Sequence, residues 1–300
     1  MLEVGIAFLI SLSVAVAVGG LLYLGHKAFG TFIGKSILPV QGESPPIPEE
    51  FEKSITSDPK CKSKILTTLP DGAPNDRHIL CFLGNDTSVL EKSNEGMFKD
   101  LANVTKASVI GFDYPNVGIG GKGAIRSEKA LVNEGIAQVQ RLLDQGIEAN
   151  KITLYGHSLG GAVATLVAAH FHDKKPPQAV SLINDRSFTT AGDQAVSLLG
   201  LKNAFVIGVF KMLFNLSWKM DALSAYNKIP ENNKMVISGP DDKNMNYATV
   251  ALAGQMPLSE NCFIVDGDHD TPLTELRVQQ QFPLSGQTLI DTDKIIFSHP

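Results

Sequence analysis

Residues 152–168 read Ile-Thr-Leu-Tyr-Gly-His-Ser-Leu-Gly-Gly-Ala-Val-Ala-Thr-Leu-Val-Ala. An apolar run typical of a strand leads into the motif G-x-S-x-G (Gly156, Ser158, Gly160), and a stretch rich in alanine and valine, typical of a helix, follows it. The glycines remove side chains that would collide in a tight turn from strand to helix. Such a turn holds the serine hydroxyl above the sheet, at the positive end of the helix. The segment therefore predicts a nucleophile elbow at Ser158; the alternative is a glycine-rich turn with a capping serine.

The composition indicates a folded protein with a sizeable core. The chain has 300 residues, of which 43% are hydrophobic and 19% charged, and this excludes a mainly disordered chain. Its net charge is −5 and it has no lysine or arginine block, so nucleic acid is an unsuitable partner. The three cysteines (Cys61, Cys81 and Cys262) form no C-x-x-C pair, and an odd number argues against a disulfide scaffold or a zinc knuckle.

Short apolar runs alternate with helical patterns from about residue 61 onwards. The runs are almost continuously apolar, as in strands that are covered on both faces, and this predicts an α/β fold with a mainly parallel sheet flanked by helices. The predicted strands are Ile65–Leu69, Ile79–Leu83, Ser108–Phe112, Ile152–Tyr155, Ala179–Asn184, Met235–Ser238 and Cys262–Val265. The predicted helices are Glu95–Asn103, Ser127–Gln145, Ser158–Phe171, Ala191–Leu199, Asn244–Leu252 and Thr271–Gln281.

An uncharged apolar run occupies the N-terminus. The 22 residues Val4–Gly25 would span about 33 Å as a helix, enough for the hydrocarbon layer of a membrane. A cleaved signal peptide, for which residues 15–17 (Ala-Val-Ala) imitate a cleavage site, and a buried core helix are the alternatives. Glu3 precedes the run, whereas Lys27 and Lys35 follow it, so the positive flank favours a single-pass anchor with the rest of the chain in the cytoplasm.

The expected organisation has three parts: an anchor over 1–38, with its transmembrane part at about 4–25, a proline-rich linker over 39–60, and one α/β domain over 61–300. Within the domain, residues 198–218 are apolar but interrupted by lysine and asparagine, which disfavours a second span. Phe205, Val209, Leu213 and Leu216 keep helical spacing. This pattern predicts either a core-packing helix or a lid or membrane-lying helix that meets an acyl chain.

With these motifs the chain resembles the α/β-hydrolase superfamily, and within it the membrane-attached serine hydrolases that carry a single domain. The likeness spans roughly residues 65–280. Residues 82–86 (Phe-Leu-Gly-Asn-Asp) are similar to the His-Gly-Asn segment of those hydrolases, with Leu83 in place of the histidine. Residues 111–118 are similar to their aspartate–tyrosine–glycine loop, and residues 184–188 to their Asp-Arg-Ser-Phe segment.

The resemblance implies a serine, acid and histidine in that order along the chain. Of seven histidines only His269 and His299 come late enough, and His299 lies one residue from the end, where fraying would spoil its position. The family pattern places the acid at Asp242, with Asp241 and Asp185 as alternatives. His269 could also be a surface histidine between acidic neighbours.

An acyl-transfer site also needs donors for the oxyanion. The resemblance assigns these to the backbone N–H of Leu159 and of Asn85, with Asp86 as the alternative to Asn85. Residues 118–123 satisfy G-x-G-x-x-G, but residues 113–116 separate them from the preceding strand, so no nucleotide site is predicted. No metal and no organic cofactor is required.

These observations predict a membrane-tethered serine hydrolase that cleaves a carboxylic ester or a thioester, carried by a lipid or an acylated protein. The substrate hint comes from the anchor and from the apolar segment 198–218. The alternative is an inactive hydrolase-fold scaffold that binds partners at a membrane. Leu83 and the loop 240–242 (Pro-Asp-Asp), which depart from the family pattern, keep this alternative open.

Overall fold

A computed structural model describes residues 28, 30–35, 38, 46–85, 87–120, 125–240, 242–246, 248–255 and 261–280. The apolar run Val4–Gly25 lies outside the described residues, as do Asp86, Asp241 and His299. Within the described ranges, no helix combines the length and the apolar character that a membrane crossing requires.

One mixed sheet forms the centre of the described structure, in the order β1-β2-β4-β3-β5-β6-β7-β8-β9. Strands β3 to β8 pair in parallel, whereas β1, β2 and β9 are antiparallel to their neighbours. The strands are β1 (Ile55–Thr56), β2 (Ile65–Thr68), β3 (His78–Phe82), β4 (Ser108–Phe112), β5 (Ile152–His157), β6 (Ser181–Asp185), β7 (Lys234–Ser238), β8 (Cys262–Asp266) and β9 (Arg277–Gln280).

Helices cover both faces of the sheet. They are α1 (Glu49–Glu52), α2 (Val89–Asn94), α3 (Met97–Thr105), α4 (Glu128–Asp144), α5 (Leu159–His172), α6 (Ala191–Leu198), α7 (Ala204–Trp218) and α8 (Ala222–Tyr226). Short 3₁₀ turns occupy Ala149–Lys151, Glu231–Asn233 and Ala253–Gln255. Helices α4, α5, α7 and α8 pack into one hydrophobic core, and α2 and α3 pack into a second core on the opposite face. Burial on both faces explains why the central strands are apolar along nearly their whole length.

Two predicted helices are wrong. The described residues of Asn244–Leu252 form turns, because Asn246 O accepts the N–H groups of Val250 and Ala251 and the chain then pairs with residues 187–189. The segment Thr271–Gln281 contains helix formers, but its residues 277–280 form β9 on the open edge of β8. In both places long-range backbone pairing overrides the local helix preference.

Other boundaries differ in smaller ways. The helix predicted at Glu95–Asn103 is α3, which begins two residues later, at Met97, because Gly96 has a left-handed φ of 84°. The short helices α1, α2 and α8 were not predicted. Strand β1 lies inside the range predicted as a linker, so the sheet begins at Ile55.

The end of the segment predicted as an anchor packs on the domain. Residues 30–35 are helical, and Ile33 and Leu38 join the core that contains Trp218. Trp218 Nε1 donates to Gly30 O at 3.0 Å. In α7 itself, Phe214 and Trp218 are buried, whereas the four residues with helical spacing, Phe205 among them, are exposed.

Candidate active site

The loops at the carboxyl ends of β3, β5, β6, β7 and β8 meet at one edge of the sheet, where open α/β sheets bind their ligands. Each candidate residue that the structure describes comes from one of these loops or from the strand end next to it. Because these strands are neighbours in the sheet, residues up to 186 positions apart in sequence, from Leu83 to His269, lie at the same edge.

Ser158 stands between β5 and α5 with φ 55° and ψ −122°, a conformation that L-residues rarely adopt. Its N–H donates to Asp185 O at 3.0 Å. Glycine is required on both sides of Ser158 because backbone atoms approach closely there. A Cβ on Gly156 would lie 2.3 Å from Gly160 O, and one on Gly160 would lie 2.0 Å from Phe82 O. The backbone around Ser158 is the sharp strand-to-helix turn that the motif predicts.

Asp242 and His269 form a buried hydrogen-bonded pair. His269 Nδ1 lies 2.7 Å from Asp242 Oδ2. The other carboxylate oxygen, Oδ1, accepts the backbone N–H groups of Asn244 at 2.8 Å and Met245 at 2.9 Å. A carboxylate that receives these bonds accepts from the imidazole as well, so Nδ1 carries the proton and Nε2 is left as an acceptor.

Ser158 and His269 are connected through His157. The rings of His157 and His269 lie 4.7 Å apart between centroids, and His157 Nε2 donates to His269 O at 2.8 Å. In the described part of the chain, Ser158 Oγ makes no hydrogen bond to His269. The structure thus brings the imidazole next to the elbow without joining the two side chains.

A buried ion pair lies beneath this loop. Arg186 Nε donates to Asp185 Oδ1 at 2.8 Å and Nη2 donates to Oδ2 at 2.9 Å, while Tyr155 Oη donates to Oδ2 at 2.8 Å. Arg186 Nη1 donates to Asp268 O at 2.6 Å, directly before His269. Asp185, an alternative for the acid, is therefore bound to Arg186 and Tyr155, and His269 is paired with Asp242.

Two pKa values at the site are displaced by these surroundings. Burial acts to raise the pKa of the Asp185 carboxyl, but the charge and hydrogen bonds of Arg186 outweigh it, so the pKa lies below the usual value. His157 keeps part of its surface exposed, yet desolvation of its ring lowers the pKa to about 4. His157 is therefore neutral near pH 7, and its Nε2–H serves as a donor.

The loop after β3 lies against the elbow. A Cβ on Gly84 would be 3.4 Å from Ser158 Cβ, and Asn85, the predicted oxyanion donor, follows Gly84 in an exposed turn. Leu159, the other predicted donor, is buried as the first residue of α5.

The carboxylate of Asp113 links helix α2 to the loop that contains Ile119. Its carboxylate accepts the N–H groups of Val89 and Ile119, each at 2.8 Å. Burial raises the pKa of Asp113 to about 7, although both N–H groups act to lower it. A Cβ on Gly118, whose φ is 42°, would collide with this carboxylate at 2.2 Å. The loop similar to an aspartate–tyrosine–glycine segment is therefore organised around Asp113.

The positioning roles of His157, Arg186 and Asp113 were not predicted, although each residue belongs to a quoted motif. His157 and Arg186 bind the backbone of a loop 112 and 82 residues away, and Asp113 binds the N–H of Val89, 24 residues away, and a sequence does not reveal these contacts. Among the described residues, no group of three or more His, Cys, Asp or Glu side chains is arranged to hold a metal ion.

The sheet order and the sharp turn at Ser158 are those of the α/β-hydrolase fold. An α/β hydrolase of Vibrio vulnificus has a similar structure, with a TM-score of 0.54 and 15% identity over 70% of this chain and 76% of that chain. An esterase of Pyrococcus furiosus gives a TM-score of 0.47 and 16% identity over 72% and 80%. An esterase of Pyrobaculum calidifontis gives 0.42 and 18% over 61% and 64%.

A family model described as "Chlamydia CHLPS protein (DUF818)" matches residues 62–282, and the chain belongs to this family. No curated protein matches the chain. The matched range contains the elbow, the Asp242–His269 pair and the Asp185–Arg186 pair.

Proposed function

We propose that this protein is a membrane-tethered serine hydrolase that cleaves a carboxylic ester or a thioester through an acyl-enzyme. The observation that carries the proposal is the strained turn at Ser158 beside an imidazole whose Nδ1 is fixed by the buried carboxylate of Asp242. A nucleophile, a base and an orienting acid in this order are the parts that acyl transfer requires.

In the proposed reaction Ser158 Oγ attacks the acyl carbon while His269 Nε2 takes the hydroxyl proton. The bond from the acyl carbon to the leaving oxygen or sulfur then breaks, and His269 returns the proton to the leaving group. Water next attacks the acyl-enzyme with the same histidine as base, which releases the carboxylic acid and restores Ser158. Asp242 stabilises the imidazolium in both steps.

The oxyanion would be held by the backbone N–H groups of Leu159 and Asn85. The contact of Gly84 with Ser158 supports this assignment, because it brings the chain at Asn85 close to the nucleophile. One preorganised donor is worth about 3 kcal/mol in such reactions. The absence of a hydrogen bond between Ser158 Oγ and His269 among the described residues is compatible with catalysis, because catalytic hydrogen bonds often form only when substrate is bound.

The membrane tether and the cytoplasmic orientation remain part of the proposal. They are supported by the uncharged run Val4–Gly25 and by the lysines that follow it. The division into an anchor at 1–38, a linker at 39–60 and a hydrolase domain at 61–300 belongs to the same proposal, with the qualification that residues 30–35 and 55–56 pack on the domain. A lipid or an acylated protein is the expected substrate.

Labelling with a fluorophosphonate probe tests the function. The wild type should be labelled, whereas Ser158→Ala should not, and His269→Ala and Asp242→Asn should be labelled at least tenfold more slowly. Ser224→Ala, at an exposed serine of α8, is the matched control and should react like the wild type.

Absence of labelling in a folded wild-type protein would favour the inactive scaffold. Leu83, in place of the histidine of similar hydrolases, is the departure that motivates this alternative. Circular dichroism of each variant separates loss of the reactive site from loss of the fold.

A further inference from the structure

Helix α7 presents an apolar face to the surroundings. Six of its large side chains are between 40% and 80% exposed: Phe205, Val206, Val209, Met212, Leu213 and Leu216. We refer to these six as the α7 apolar face. Leu198 and Leu199, at the end of the preceding helix, are also exposed, by 66% and 61%. A contiguous apolar surface of this kind marks an interaction site rather than ordinary surface variation.

Lysines are the charged residues of the segment that carries this face. Residues 194–220 contain no aspartate or glutamate, and their charged residues are Lys202, Lys211 and Lys219. Lys211 pairs with Asp193 of α6 and Lys219 pairs with Asp221, whereas Lys202 is exposed just before the start of α7. Apolar side chains bordered by lysines are typical of a helix that lies in a membrane interface, where the lysines meet the headgroups.

The N-terminal segment reaches the domain at the carboxyl end of this same helix. Trp218, the last residue of α7, donates from Nε1 to Gly30 O, and a Cβ on Gly34 would lie 3.1 Å from Trp218 Cζ2. The uncharged run ends at Gly25, five positions before Gly30. Five residues reach at most about 18 Å, so the end of the run lies within that distance of Gly30.

From these observations we infer that the α7 apolar face rests on the surface of a lipid bilayer. The uncharged run ends five residues before a segment that contacts α7, so a membrane that received the run would lie near this helix. The inference concerns how the domain is seated and does not rest on the reactivity of Ser158. Cover of the face by residues 1–27 of the same chain, or by a second copy, is the competing arrangement.

Quenching of tryptophan fluorescence by brominated lipid distinguishes these arrangements. The variant Phe205→Trp introduces an indole on the face, in the full chain reconstituted in phosphatidylcholine–phosphatidylserine vesicles with and without brominated acyl chains. Trp218 is the single native tryptophan and is fully buried, so the wild type supplies the background. Val104→Trp is the matched control, because Val104 is 48% exposed on α3, across the sheet from α7.

Phe205→Trp should show blue-shifted emission that brominated lipid quenches, whereas Val104→Trp should differ little from the wild type. Adding Val209→Glu and Leu213→Glu to Phe205→Trp should remove most of the quenching, and the fold should persist because both positions are exposed. Emission at position 205 that is quenched no more than at position 104 would overturn the inference. This outcome would count against the inference whether the indole is exposed to water or its emission is blue-shifted because protein covers it.

Discussion

Replacing Ser158, the proposed nucleophile, with glycine should give a more stable protein than replacing it with alanine. A non-glycine residue in a sparsely populated backbone region carries strain of about 1–3 kcal/mol, and Ser158 has φ 55° and ψ −122°. Glycine adopts this conformation freely but loses about 0.5–1 kcal/mol more backbone entropy on folding. The net gain is about 1 kcal/mol relative to Ser158→Ala, which keeps the strain. For a domain of this size that is about 2–4 °C in Tm.

Urea denaturation of the full chain in mild detergent, followed by circular dichroism, measures the two free energies of unfolding. Ser158→Gly and Ser158→Ala both lack the hydroxyl, so the difference between their unfolding free energies reports the backbone strain at position 158. Ser224 supplies the matched pair, because it lies in helix α8 without positive φ. There the glycine variant should be less stable than the alanine variant by about 1 kcal/mol. If glycine is no better than alanine at position 158, the backbone of the elbow is not strained and the reasoning fails.

Three further expectations concern groups around the elbow. Arg186→Met should destabilise the protein by about 3–5 kcal/mol, because it leaves Asp185 charged and buried, and adding Asp185→Asn should restore part of the loss; urea denaturation measures both. The folded pKa of His157, about 4, lies below the unfolded value of about 6.5, so its contribution to stability is complete above pH 6.5 and is lost as the pH falls towards 4. The stability advantage of the wild type over His157→Gln, which retains a neutral donor, should therefore shrink over that window, and a constant difference would contradict the assigned pKa. Gly160→Ala should lower the unfolding free energy by about 1–3 kcal/mol through the clash behind the elbow, whereas Gly208→Ala, in an open position on α7, should raise it by about 1 kcal/mol; equal effects would contradict the packing.

The sequence predicted those parts of the structure that local patterns of apolar residues and glycines determine. The central strands were predicted from continuous apolar runs, since a parallel sheet covered on both faces leaves no room for polar alternation. The hydrolase fold, predicted from the elbow and the motifs around it, is confirmed by the topology and by the structural comparison. The pairing of Asp242 with His269 was expected only through the family resemblance, because nothing local tells which loops meet.

The failures share one cause. Residues 277–280 carry helix-forming side chains, yet β8 offers them an unpaired edge, and the hydrogen bonds of β9 outweigh local preference. The segment at 244–252 is likewise drawn into pairing with residues 187–189. The positioning roles of Arg186 and His157 were missed for the same reason, because their partners are carbonyl oxygens of a loop about 82 and 112 residues away.

The contact between Trp218 and Gly30 affects where the α/β domain can be separated from the rest of the chain. Gly30, Ile33 and Leu38 belong to the interior of the domain, although they come before the proline-rich stretch that looks like its natural boundary. A version that starts after residue 38 would leave the indole of Trp218 facing solvent and a groove where two glycines had fitted against residues 125–126. A chain that begins at residue 27 or earlier should keep the segment with Gly30, Ile33 and Leu38 packed against the domain and should be the more stable protein.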